Sequence, residues 1–270
     1  MPTFKIFKNK SECAMLRGAD EAGLRRLVAM HYVETDRDFL MACRKGDLAT
    51  VRRLCTPQRV QLADPYHGCA PIHWACRGGH LELAQYLHAQ GAALDSVTAD
   101  NTLGIPPTQP IHEACLYGHL LLVQWLHAHG ATIDAAVNQG WQPIHAACAY
   151  DGDDDGCNLE LVQWLHSQGA AVDAVTDDGG QPMHYACSKS HLKVIQWLYA
   201  QGAAIDAADQ KGRRPIHAAC ARDNLDTVQW LHAQGAAVDV TANDGSTARS
   251  FAEGRGHLAL VAWLDEQARS

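Results

Sequence analysis

The segment Pro143-Ile144-His145-Ala146-Ala147-Cys148 occurs five times with small changes, opening at Pro71, Pro110, Pro143, Pro182 and Pro215. These prolines lie 39, 33, 39 and 33 residues apart. Each copy is followed by a Leu-rich stretch that ends in Gly-Ala, at Gly91, Gly130, Gly169, Gly202 and Gly235. A fixed period in the thirties means a stacked array of small units, because one such unit cannot bury its apolar face alone. Each unit contacts only its neighbours, so core grows with repeat number and chain length sets no domain count.

The third copy shows the logic of one unit. Gly140 permits a positive-φ turn, Gln142 occupies the helix-cap position, and Pro143 brings the pre-set φ of a first helical residue. Ile144, Ala147 and Cys148 fall at i, i+3 and i+4, small enough for a neighbouring helix to approach closely. The spacing predicts a second helix over 159–167 that buries Leu161, Val162 and Leu165, with Gly169 in the left-handed position after it.

This pattern resembles the ankyrin repeat: a hairpin, a Thr-Pro-Leu-His-like start, two antiparallel helices with Gly-His between them, and Gly-Ala after the second. Gly79-His80, Gly118-His119 and Gly256-His257 match the inter-helix pair, and Ser190-His191 is a variant. The resemblance covers about residues 38–268 and implies an all-α ankyrin-repeat solenoid of helix-turn-helix units with short β-hairpin loops. Residues 38–65 read as a degenerate entry unit. Full repeats follow at about 66–99, 100–137, 138–176, 177–209 and 210–242, and 243–270 read as a polar closing unit. Residues 1–37 form a basic segment before the array. In place of the family's Thr before Pro stand Ala70, Gln109, Gln142, Gln181 and Arg214, which are poorer caps, worth a few tenths to ~1 kcal/mol per copy. Two six-residue insertions break the period, one between Asp95 and Gln109, the other at Asp151–Gly156 between the helices of the third copy.

Composition narrows the function. Residues 1–60 carry 12 Lys/Arg against 7 Asp/Glu, whereas residues 61–270 carry 10 against 23. A negative array is a poor ligand for duplex DNA or RNA, whose binding requires phosphate neutralisation. No apolar run is long enough to span a membrane, and the start lacks the apolar core of a secretory signal. A cytosolic or nuclear location, with the protein monomeric by itself, is expected. Six of the ten cysteines hold one repeat-locked position (Cys43, Cys76, Cys115, Cys148, Cys187, Cys220). Copies one repeat apart lie roughly 10 Å from each other, beyond the ~7 Å limit for a disulfide, so they read as small buried thiols.

Repeated polar residues invite chemistry, and each has a structural reading as well. His145 and Cys148 are i, i+3, but two ligands do not make a zinc site; the resemblance makes this histidine a bridge between neighbouring hairpins. His88, His127, His166 and His232 form a second row, either a titrating switch or a hydrogen-bonded packing row, the latter favoured because burial keeps imidazole neutral. Trp125, Trp164, Trp197, Trp230 and Trp263 either pack the seam between outer helices, the favoured reading, or form an apolar stripe. Asp151-Gly152-Asp153-Asp154-Asp155-Gly156 matches half of a calcium loop, but Val162 stands where the bidentate Glu belongs, which favours a solvated loop. Catalytic signatures, phosphate-cradling loops and metalloprotease motifs are missing, so no enzyme, cofactor or metal is expected.

Positions that differ between copies carry what repetition does not. The resemblance places hairpin tips and the exposed side of the first helix on a concave surface. Mapped by motif, Tyr66, Trp74, Arg77, Glu113, Tyr117, Trp141, Tyr150, Tyr185, Lys189, Arg213 and Arg222 are the candidate partner-binding residues. Trp, Tyr and Arg dominate interface energetics. Trp141 is singled out, since a Trp at a hairpin tip has little local core to enter. The expected function is a scaffold or adaptor that binds a partner protein or peptide. The alternative is a regulatory or inhibitory subunit whose basic N-terminal segment acts on a partner.

Overall fold

The computed structural model describes residues 35–64, 68–98, 107–150, 152 and 155–268. Helix pairs follow one another along them. An entry unit, helical over 35–45 and Leu48–Leu54, leads through a short turn at Pro57–Val60 into the five repeats. Their helices are Pro71–Arg77 with Leu81–Ala89, Pro110–Leu116 with Leu120–Ala128, and Pro143–Cys148 with Asp155–Ser167. Pro182–Lys189 with Leu192–Ala200 and Pro215–Cys220 with Leu225–Ala233 complete them. Ala248–Glu253 and Leu258–Gln267 close the array.

Each first helix packs beside the first helix of the next unit, and an outer row of second helices backs them. The core lies between the rows. Ile72, Ile111, Ile144, Met183 and Ile216 come from the inner row, Leu87, Leu126, Leu165, Leu198 and Leu231 from the outer, all buried. Each such side chain contributes about 1.5–3 kcal/mol by leaving water. The six repeat-locked cysteines are fully buried free thiols. Burial pushes the Cys43 and Cys220 thiols up to about 12, so they stay protonated and unreactive.

Among the described residues the hairpins form isolated pairings rather than strands, at Val137–Trp141 and Thr241–Thr247. Successive tips are strapped together by main-chain bonds: Asp177 N–H to the Gln139 carbonyl (2.7 Å), Gln210 to Asp178 (2.8 Å) and Asn243 to Lys211 (2.8 Å). The second helix of repeat 3 begins at Asp155, four residues before the 159 expected from spacing, so the end of the insertion is wound into it. Residues 1–34 of the basic segment and the acidic residues Asp151, Asp153 and Asp154 lie outside the described residues.

Histidine joins the units in two directions. In every Pro-x-His copy Nδ1 accepts the cap residue's N–H: Ala70, Gln109, Gln142, Gln181 and Arg214, at 2.9–3.4 Å. The ring proton must then sit on Nε2. Nε2 donates to a carbonyl of the following hairpin, at Ser96, Trp141, Ala174, Arg213 and Val240, at 2.9–3.2 Å. None of these five cap residues makes a side-chain cap bond, so the histidine at the third helical position supplies only the reciprocal half of a capping box, accepting the cap residue's own N–H. His80, His119, His191 and His257 reach the other way, from Nε2 to the carbonyls of Arg44, Arg77, Tyr150 and Ala221 in the preceding unit.

The inner rings are held neutral. Burial drives His112 and His145 down to about 4, and lowers His73, His184 and His217 by the same cause. With both nitrogens of His145 engaged, the ring has no lone pair left for a metal.

Candidate functional site

Hairpin residues and first-helix residues meet on the inner side of the array. A recess there, about 440 Å³, is bordered by hairpin residues Asp178, Asp209, Arg213 and Arg214, by first-helix residues Tyr185, Ala218 and Phe251, and by Ala221 and Arg222 in the turn after the first helix of repeat 5. Tyr185, Arg213 and Arg222, three of the eleven candidates, therefore share one site.

Four others gather around repeats 1 and 2. Arg77 makes a bidentate pair with Glu113, Nε to Oε2 at 2.9 Å and a terminal nitrogen to Oε1 at 3.1 Å. Its guanidinium also lies over the rings of Trp74 (4.8 Å) and Tyr117 (5.7 Å). Arg44 from the entry unit also lies over Trp74 at 5.3 Å, so two cations contact the indole.

This cluster corrects two expectations. Trp74 is only 4% exposed and Glu113 1%, so neither can touch a partner. Besides Arg77, the Thr108 hydroxyl donates to the Oε1 of Glu113 at 2.7 Å. A carboxylate buried with a bidentate Arg and a hydroxyl is a packing element. Tyr117, at 39%, stays exposed beside them.

Trp141 is partly buried. Its ring stacks near-parallel on the His112 imidazole (6.1 Å, 18°), meets Tyr185 edge-on (6.3 Å), and packs against the hydrophobic core. The tip does have a core to enter, made by the neighbouring repeats. Tyr150 too has a structural task. Rings of His80 and His119 close over Gly46 and Gly79, and where the insertion removes the Gly-His pair Tyr150 closes over Gly118 instead. A Cβ at Gly118 (φ +73) would fall 2.8 Å from that ring, which holds the position to glycine. Lys189 ends the first helix of repeat 4, partly exposed. Tyr66 lies outside the described residues.

The outer face behaves differently. His88, His127 and His166 each turn an edge onto the Trp of the next unit, Trp125, Trp164 and Trp197, at 5.4–5.7 Å. His232 does the same to Trp263 at 5.5 Å, and Tyr199 stands in for histidine against Trp230 at 5.6 Å. Nδ1–H of each histidine donates to the carbonyl four residues on (Ala92, Ala131, Ala170, Ala236), at 3.0–3.5 Å. The tryptophans are seam packing, as the favoured reading expects.

Two groups that motif mapping passed over belong to the inner surface. Phe251 and Arg255 of the closing unit line the same recess as Tyr185. Counting seven residues on from each Pro, or from Ala248 where the closing unit lacks it, gives Gly78, Tyr117, Tyr150, Lys189, Arg222 and Arg255. Reading the closing unit only as a polar cap hid the last member of that row.

Among the described residues no helix is long and apolar enough to cross a membrane. Family models match most of the array: "Ankyrin repeat" over residues 67–99, "Ankyrin repeats (many copies)" over 111–153, and "Ankyrin repeats (3 copies)" over 154–244. With the paired helices, the strapped hairpins and the bridging histidines, these matches show that the chain belongs to the ankyrin repeat family, whose repeats are protein–protein interaction modules.

Proposed function

We propose that this protein is a scaffold or adaptor that holds a partner protein or peptide in the concave groove and performs no chemistry of its own. The observation that carries this reading is the division of labour between positions. The recurring Pro-x-His histidines, buried cysteines and outer aromatic rings are consumed by packing and contacts to neighbouring units. Side chains that change from unit to unit, such as Tyr117, Lys189 and Arg222, line the inner surface. Variation along the inner surface gives selective recognition what it requires, because invariant positions cannot distinguish partners.

Site-specific photo-crosslinking tests it. A photoreactive amino acid at Tyr117 or Arg222 on the inner side is expected to capture a partner from the cell of origin. The same group at Gln163 or Gln196, exposed on the outer helices, is expected to capture none. Capture from the outer positions alone would overturn the groove assignment.

The basic balance of residues 1–60 favours a second reading, in which the N-terminal segment engages or targets a partner enzyme while the repeats hold it. Deleting residues 1–34 separates the two, since a groove-bound partner survives the deletion and a segment-bound partner is lost.

A further inference from the structure

The row seven residues after each repeat's start changes character along the array. It runs through Tyr117 and Tyr150, then Lys189, Arg222 and Arg255 in three consecutive units. This cationic run stands out against residues 61–270, where acidic residues outnumber basic ones 23 to 10. Nearby Arg213 is neutralised by buried Asp209 at 2.6 Å, and Arg214 by Asp206 at 3.0 Å. Arg222 and Arg255 are exposed, and among the described residues no carboxylate lies within ion-pair distance of either.

Beside these cations lies the 440 Å³ recess. It exists because the position three residues after the repeat start is aromatic in repeat 4 (Tyr185) and in the closing unit (Phe251), but is Ala218 between them. Two aromatic walls with alanines 218 and 221 between them make a hollow for one apolar side chain.

We infer that this end of the groove takes an acidic, extended peptide segment, with carboxylates on Arg222 and Arg255 and an apolar residue between Tyr185 and Phe251. Neighbouring units are roughly 10 Å apart and an extended chain rises about 3.3 Å per residue. Acidic residues about three positions apart would therefore meet successive cations. Guanidinium favours carboxylate by paired hydrogen bonds. The acidic remainder of the array repels the same segment, which confines it to this end.

The inference rests on the groove reading, and the following test separates their failures. Random dodecapeptides displayed on phage are selected on the full-length protein at low ionic strength, and in parallel on the R222S/R255S double variant. Both side chains are exposed, so the double variant is expected to keep the wild-type thermal midpoint. Selected peptides should carry Asp or Glu at about three-residue spacing around an apolar residue. Synthetic copies should bind about tenfold more weakly to the double variant and weaken as salt rises. Peptides without acidic enrichment, peptides that bind the double variant equally well, or no enrichment over it would each overturn the inference. If such peptides are instead displaced by Tyr117→Ser, the groove reading stands and only the acidic-partner assignment falls.

Discussion

The outer seam and the inner groove are built from the same units, yet they treat repetition in opposite ways. On the seam, histidine meets tryptophan in four junctions and tyrosine replaces the histidine in a fifth, always edge-on at 5.4–5.7 Å. On the groove, the row seven residues into each unit holds glycine, two tyrosines, a lysine and two arginines. A side chain whose only neighbour is the next copy of the same unit meets the same surroundings each time, and one chemistry fits all. A side chain facing outward has no such neighbour to satisfy.

Acid should expose the largest consequence. For His112 and His145 the folded value, about 4, lies below the unfolded value near 6.5, so the unfolded chain binds more protons between them. Stability is then fully present above about pH 6.5 and falls as pH drops towards 4, on the order of 3 kcal/mol for each ring. Urea unfolding at a series of pH values checks this; a flat profile over that window would contradict burial of neutral rings.

Glu113 sharpens the contrast, because it occupies a groove position yet is buried. Glu113→Ala leaves Arg77 and the Thr108 hydroxyl without their carboxylate and is expected to cost about 3–5 kcal/mol. A cost below about 1 kcal/mol would return Glu113 to the surface class. Next in size, Trp164→Ala removes a ring from the seam and should cost about 2–3 kcal/mol, against a change within about 0.5 kcal/mol for Tyr117→Ser on the groove. Chemical unfolding of both variants measures the difference.

The smallest expected effect comes from backbone conformation. Ser190 holds a left-handed φ of 65° where Gly46, Gly79, Gly118 and Gly256 stand in other units and Asp223 in repeat 5. Ser190→Gly should raise stability by up to about 1 kcal/mol. A loss would mean that the Ser190 side chain itself supports the junction.

Much of this fold was legible because repetition reports its own cause. Pro-x-His, the inter-helix His, the Gly-Ala ends and the buried cysteines recur in sequence because each makes the same contact in every unit that carries it. The groove was harder to read. Motif position places Trp74, Glu113 and Trp141 on the inner side but cannot say which way a side chain turns there. That depended on single local facts: two arginines available to cover Trp74, a Thr108 hydroxyl aimed at Glu113, and the His112 and Tyr185 rings that Trp141 packs on. Tyr150 shows the reverse, since a ring that looked like a free anchor replaces a histidine displaced by the insertion. Arg255 was visible in the sequence, but only once the closing unit was aligned with the repeats.

Unfolding free energies of His145→Ala and Arg222→Ser, measured side by side in urea at neutral pH, test the division between binding the array together and facing outward most directly. The first variant strands the Gln142 N–H and the Ala174 carbonyl, and a loss of at least about 2 kcal/mol is expected. The second is expected to stay within about 0.5 kcal/mol of wild type. Equal losses would contradict the division.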